Sequence, residues 1–116
     1  MNTQKLINMT EDYIEQHLSE KITLEKLASH LNISKYYYHH LFSQNSDETL
    51  IKFITRIKME RSAIYMIVRS DISITQIAYQ YGYSNSSSFS KAFKRHFNMS
   101  PQDYRKAIKD KKRIIC

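Results

Sequence analysis

The sequence predicts an all-α fold of about seven helices, in which a helix-turn-helix lobe occurs twice and a long central helix joins the two. Three observations predict it. The 116 residues include one glycine, Gly82, and one proline, Pro101, so the punctuation that strands and hairpins need is scarce. Apolar residues recur at spacings of three and four, the period of one helix face. A segment also repeats: ITLEKLASHLNIS (22–34) aligns with ISITQIAYQYGYS (72–84), about 50 residues further on.

The first helix carries Glu11, Asp12 and Glu15, a plain solvated acidic face or a partner surface. Thr23 then stands where an N-cap belongs, and in the second copy Ser73 and Gln76 make a capping box. Leu24, Leu27, Ala28 and Leu31 line one face of the next helix, and Ile74, Ile77, Ala78 and Tyr81 repeat that face. The small alanine in each copy permits a close helix crossing. Asn32 and Gly82 occupy the turn, where a left-handed residue suits a sharp reversal, and Ser34 and Ser84 can start the following helix. Helix, turn, helix is thus read twice. Two copies are too few for a solenoid, whose repeats stack in longer arrays.

The run SKYYYHHLFSQ (34–44) divides by helical spacing. Tyr38, Leu41, Phe42 and Asn45 fall inward, Tyr37 lies between the faces, and Tyr36, His39, His40 and Ser43 fall outward. In the second copy Phe89, Ala92, Phe93 and His96 are expected inward, and Ser87, Ser90, Lys91 and Lys94 outward. Hydroxyls, imidazoles and ammonium groups on one outward face suit the donor and acceptor pattern of a DNA major groove. The serine-rich GYSNSSSFSK is read as a helix start, because Phe89, Ala92, Phe93 and Phe97 continue from it at helical spacing.

Between the copies, residues 49–70 run without glycine or proline, and Phe53, Ile54, Ile57, Ile64 and Ile67 supply apolar stripes for both lobes. About 20 helical residues span roughly 30 Å, near the roughly 34 Å between successive major-groove faces. The two outward faces differ, so an asymmetric, bipartite site is expected for a monomer. Ser100, Pro101 and Asp103 then start the last helix. The expected organisation is 1–48 first lobe, 49–70 connecting helix, 71–108 second lobe and 109–116 basic C-terminal tail, which suits phosphates or mere solubility.

The net charge is +7, with a balance of −3 over residues 1–48 and +10 over residues 49–116. A polyanionic partner fits that gradient, as does a basic solvated surface. No apolar run is long enough to cross a membrane, and no secretion signal is visible. Cys116 is the one cysteine, which excludes a disulfide framework and fits a cytoplasmic location. Adjacent His39 and His40 diverge around a helix, and no spaced Cys or His pairs accompany them, so no metal is expected. Without an activated nucleophile or a glycine-rich phosphate loop, neither an enzyme nor a cofactor is expected.

Residues from about Ile22 to Ile108 resemble the DNA-binding domain of the AraC/XylS transcription regulators. The resemblance rests on ITLEKLASHLNIS and YYHHLF, on RIKMERSAIYM in the connecting helix, and above all on ISITQIAYQYGYSNSSSFSKAFKRHFNMSPQDYR. It implies a sequence-specific double-stranded DNA-binding regulator, by analogy an activator, with recognition helices in adjacent major grooves and RNA polymerase as a candidate partner. Base-reading positions would fall on Tyr36, His39 and His40, and on Ser86, Ser87, Ser88, Ser90 and Lys91. Contacts to the DNA backbone are expected from Ser34, Lys35, Ser43, Ser84, Asn85, Lys94, Arg95 and Arg105. Asp47 and Asn98 stand where the family usually carries glycine after each recognition helix, and both suit a left-handed C-cap. His40 stands where the family often carries arginine, so first-lobe affinity is expected to be weaker. A basic helical protein-interaction module and a single-stranded RNA binder are the rival readings.

Overall fold

Seven helices and no strand occur among the described residues. They are α1 (Thr3–Gln16), α2 (Leu24–His30), α3 (Lys35–Asn45), α4 (Leu50–Val68), α5 (Ile74–Gln80), α6 (Ser86–Phe97) and α7 (Pro101–Ile115). This computed structural model describes residues 1–115, apart from the side chains of Asn45 and residues 112–115. The inward placement expected for Asn45, and the expectations for Cys116 and for Lys112 and Arg113 of the basic tail, lie outside the described residues. The chain divides into two units, Met1–Lys58 and Met59–Cys116. The division falls inside α4, and each half of that helix contributes to the core of its own unit.

In the first unit, local hydrogen bonds set each helix start. Asn2 Oδ1 accepts from Lys5 N–H at 2.8 Å, Thr23 Oγ1 from Lys26 N–H at 3.2 Å, Ser34 Oγ from Tyr37 N–H at 3.1 Å and Thr49 Oγ1 from Lys52 N–H at 3.2 Å. Each satisfies a donor that has no partner inside its helix. The core is apolar and shared by all four helical segments: Leu6 and Ile14 of α1, Leu27 and Ala28 of α2, Tyr38, Leu41 and Phe42 of α3, and Phe53, Ile54 and Ile57 of α4. Burying one such large side chain stabilises by about 1.5–3 kcal/mol. Lys58 is buried beside them, and its ammonium donates to Glu20 O at 2.8 Å. Burial holds that ammonium below the usual lysine range, and the Glu20 carboxylate opposes the shift.

The second unit repeats the start. Ser73 Oγ accepts from Gln76 N–H at 3.1 Å, and Gln76 Oε1 accepts from Ser73 N–H at 3.0 Å, the reciprocal capping box. Its core joins Met59, Ala63 and Met66 of α4 to Ile77, Ala78, Tyr81, Phe89 and Phe93. Aromatic rings fill its far side: Phe93 lies 4.5 Å from Phe97 and 5.4 Å from Tyr104 between centroids. Ser100 Oγ accepts from Asp103 N–H at 3.1 Å and starts α7, which continues through the basic stretch after residue 108.

Four local expectations need correction. Ile64 is 56% exposed, because α4 turns Met59, Ser62, Ala63 and Met66 inward and leaves Ile64 around the helix. The hydroxyl this places in the core is satisfied, since Ser62 Oγ donates to Met59 O at 2.8 Å. The start of α6 is capped by Asn85 rather than Ser84: the second copy has one more residue there, and Asn85 Oδ1 accepts from Ser88 N–H at 2.8 Å. His96 is exposed, standing edge-on to Phe97, which takes the partly buried position instead. Asn98 adopts the left-handed conformation expected of it (φ 63°), but Asp47 does not, because α3 ends at Ser46 in extended backbone.

Candidate nucleic-acid interface

The turns that aim α3 and α6 are built the same way. In the first, Asn32 has φ 57°, Ile33 N–H donates to Ala28 O at 3.1 Å and Asn32 N–H to Ser29 O at 3.1 Å. In the second, Gly82 has φ 85°, Tyr83 N–H donates to Ala78 O at 2.9 Å and Gly82 N–H to Tyr79 O at 3.2 Å. A left-handed residue thus closes α2 and α5 with one pair of bonds each, and the chain leaves both turns in the same local direction. The buried alanine at the bond's acceptor end is the small residue that the repeat singled out.

On α3 the outward face holds Tyr36 (77% exposed), His39, His40 and Ser43, while Tyr38, Leu41 and Phe42 are buried. Tyr37, expected between the faces, is 42% exposed. Lys35 Nζ lies 5.4 Å from the Tyr36 ring centroid, a cation held over an exposed aromatic face. Ser34 keeps its oxygen on Tyr37 N–H. Gln44, which spacing alone did not single out, belongs to this face too: its Nε2 is 3.1 Å from His40 Nε2, one turn away. The available signal was its alignment with Arg95 in the second copy.

On α6, Ser87, Ser88, Lys91, Lys94 and Arg95 are exposed, and Ser86 and Ser90 are half-buried at the margin. Ser84 and Asn85 lie just before the helix, both exposed, with Asn85 already committed to the cap. The face is cationic at its end, since the last turn carries Lys94, Arg95 and His96. The two faces therefore differ chemically: the first is aromatic and imidazole-rich, the second hydroxyl-rich and basic. Arg105, expected at the DNA backbone, directs its guanidinium to the backbone of its own unit, donating to Met66 O, Ile72 O and Arg69 O.

Among the described residues, no group of three or more His, Cys, Asp or Glu side chains is placed to hold a metal ion. Among the same residues no helix is long and apolar enough to cross a membrane.

Two helical hairpins of one design, each ending in a helix with a solvent-facing polar side, define a double helix-turn-helix protein. The chain belongs to the AraC/XylS helix-turn-helix family: a family profile described as a helix-turn-helix domain matches residues 27–107. It is similar to the HTH-type transcriptional activator RhaS of Salmonella schwarzengrund, 31% identical over 104 residues that cover 90% of this chain and 37% of that protein. Among solved structures it is similar to the C-terminal domain of AraT, a response regulator from Geobacillus stearothermophilus (TM-score 0.77, 32% identity, 88% of this chain and 84% of that one). The DNA-binding domain of AdpA, solved in complex with a target DNA, shares the fold (TM-score 0.73, 19% identity, 94% of both chains). The chain spans between 32% and 39% of the length of curated relatives it matches.

Proposed function

We propose that this chain binds double-stranded DNA in a sequence-specific way and regulates transcription, as an activator. The observation that carries the proposal is the duplicated turn geometry, which presents two polar helix faces from one chain of a DNA-binding family. Tyr36, His39 and His40 read bases in one half-site; Ser87, Ser88 and Lys91 read the other, with Ser86 and Ser90 at the edge of that contact. Ser34, Lys35, Ser43, Ser84, Asn85, Lys94 and Arg95 face the phosphates, which fix register without carrying sequence information. Because the two faces are unlike, the site is bipartite and asymmetric, and one copy of the chain suffices to occupy it. The relative named as a transcriptional activator supports activation, with RNA polymerase as the further partner and the cytoplasm as the place of action.

Selection from random duplex DNA, followed by footprinting, tests this. The expected result is one enriched asymmetric sequence with two protected patches, and affinity that falls with salt at a log–log slope of about −0.9 per phosphate contact. Enrichment of a palindrome, or of nothing, would sink it. A single-stranded competitor that outdid duplex would instead favour base stacking on the exposed Tyr36 and Tyr37.

A further inference from the structure

α1 lies entirely before residue 27, where the family match begins, yet it is bound into the first helix-turn-helix by a buried polar contact. The Tyr38 phenol meets the Thr10 hydroxyl across the core, and Thr10 Oγ1 donates to Leu6 O at 2.8 Å. A hydroxyl has one hydrogen, and Thr10 spends its own on Leu6. The Tyr38 hydroxyl is therefore the donor, and the chain of bonds runs Tyr38 to Thr10 to the backbone of α1.

Leu6, Thr10, Ile14 and Tyr38 all have zero exposure, so both hydroxyls are shut off from bulk solvent. The surrounding contacts, Leu6, Ile14, Leu41 and Phe42, are apolar and non-directional, and they tolerate a small slip or roll of α3. A hydrogen bond does not: its length and angle are narrowly bounded. Tyr38 also lies within two residues of each exposed reader, Tyr36, His39 and His40, with its own side chain buried in the core.

We propose that Thr10 of α1 is a positioning residue for the first reading helix: through Tyr38 it sets the depth and roll at which α3 presents Tyr36, His39 and His40. The proposal rests on the reading of α3 as a DNA-reading helix. It places part of the determinant of first-half-site affinity on a helix that carries none of the assigned base or phosphate contacts.

The test uses the full chain, the selected operator, and two control duplexes with one or the other half-site scrambled. Thr10→Val keeps the side-chain shape and removes the acceptor; Tyr38→Phe keeps the ring and removes the donor; Thr10→Ser keeps the hydroxyl. Binding is measured where circular dichroism shows every variant folded. Thr10→Val and Tyr38→Phe are expected to bind the intact operator more weakly by on the order of fivefold. The loss should vanish on the duplex with the first half-site scrambled, persist on the other, and be restored by Thr10→Ser. A loss equal on all three duplexes, or no loss beyond about twofold, overturns the proposal. His40→Ala separates the two levels. If it weakens first-half-site binding while Thr10→Val is silent, only the positioning role falls; if both are silent, the DNA reading of α3 falls with it.

Discussion

Arg105 is anchored on the carbonyl oxygen of Met66, which accepts from Nε at 3.2 Å and from Nη2 at 2.9 Å. Nη1 reaches Ile72 O at 2.9 Å. Met66 is in the last turn of α4, where carbonyls lose their intrahelical partners, and Ile72 immediately precedes the Ser73 cap of α5. One guanidinium from α7 thus closes α4 and fixes the entry to the second helix-turn-helix. Arg105→Ala should cost about 1–3 kcal/mol of stability, since charge-assisted bonds to buried acceptors are lost. Arg105→Lys should not restore it, because an ammonium lacks the planar fork. Urea denaturation measures the loss. The salt dependence of DNA affinity, taken on folded protein, should be unchanged; a shallower slope would return Arg105 to the phosphates.

His40 and Lys91 occupy equivalent exposed positions on α3 and α6. Replacing either by alanine should weaken specific binding by about 1–3 kcal/mol if each makes a good base contact. The thermal midpoint should barely move, because neither side chain packs in a core. Each variant should relax selectivity at its own half-site alone, read by binding to single-base operator variants. A uniform loss across all sequences would instead mark the residue as a phosphate contact.

Leu41 and Phe93 lie on the same two helices, facing the other way, and both are buried. Leu41→Ala and Phe93→Ala should each cost about 2–5 kcal/mol, the lost transfer energy plus a cavity. Phe93 also loses its ring contacts to Phe89, Phe97 and Tyr104, so its cost should be the larger. Denaturant midpoints would show the order, and a reversed order would mean that the aromatic cluster collapses around the gap.

The features legible in the sequence were those set by local chemistry. Thr23, Ser73 and Ser34 bond to backbone groups three residues away, so a residue's identity nearly determines its role. Asn32 and Gly82 are likewise readable, because few residues tolerate positive φ. What spacing missed depends on partners distant in sequence. Ile64 and Met59 are equally apolar, and only the packing of α4 decides which one is buried. Arg105 looks like any basic surface residue until the end of α4, 39 residues earlier, supplies its acceptor. Thr10 was invisible for the same reason, since Tyr38 is 28 residues away. The outward faces were readable as faces; which of their residues touch bases is chemistry that only a bound duplex supplies.

Tyr38 and Tyr81 give the fold a defined alkaline limit. Burial pushes each phenol up to about 12, with the Thr10 hydrogen bond opposing the shift at Tyr38 and Arg61 opposing it at Tyr81. Because the folded value lies above the unfolded one, near 10, the folded state favours the neutral phenol. The stability this represents is fully present below about pH 10 and is lost as the pH rises through about 12. For fully buried Tyr38 the loss is roughly 2–3 kcal/mol. Lys58 acts with the opposite sign: its depressed value lies below the unfolded 10.5, so its share of stability grows as the pH climbs toward that value. Denaturant titrations from neutral pH to about pH 12 should therefore show stability falling in the wild type beyond pH 10, and less steeply in Tyr38→Phe. Phenolate absorbance should show Tyr38 and Tyr81 ionising late, together with unfolding. If wild type and Tyr38→Phe lost stability in parallel over that range, the phenol of Tyr38 would be reaching water in the folded protein.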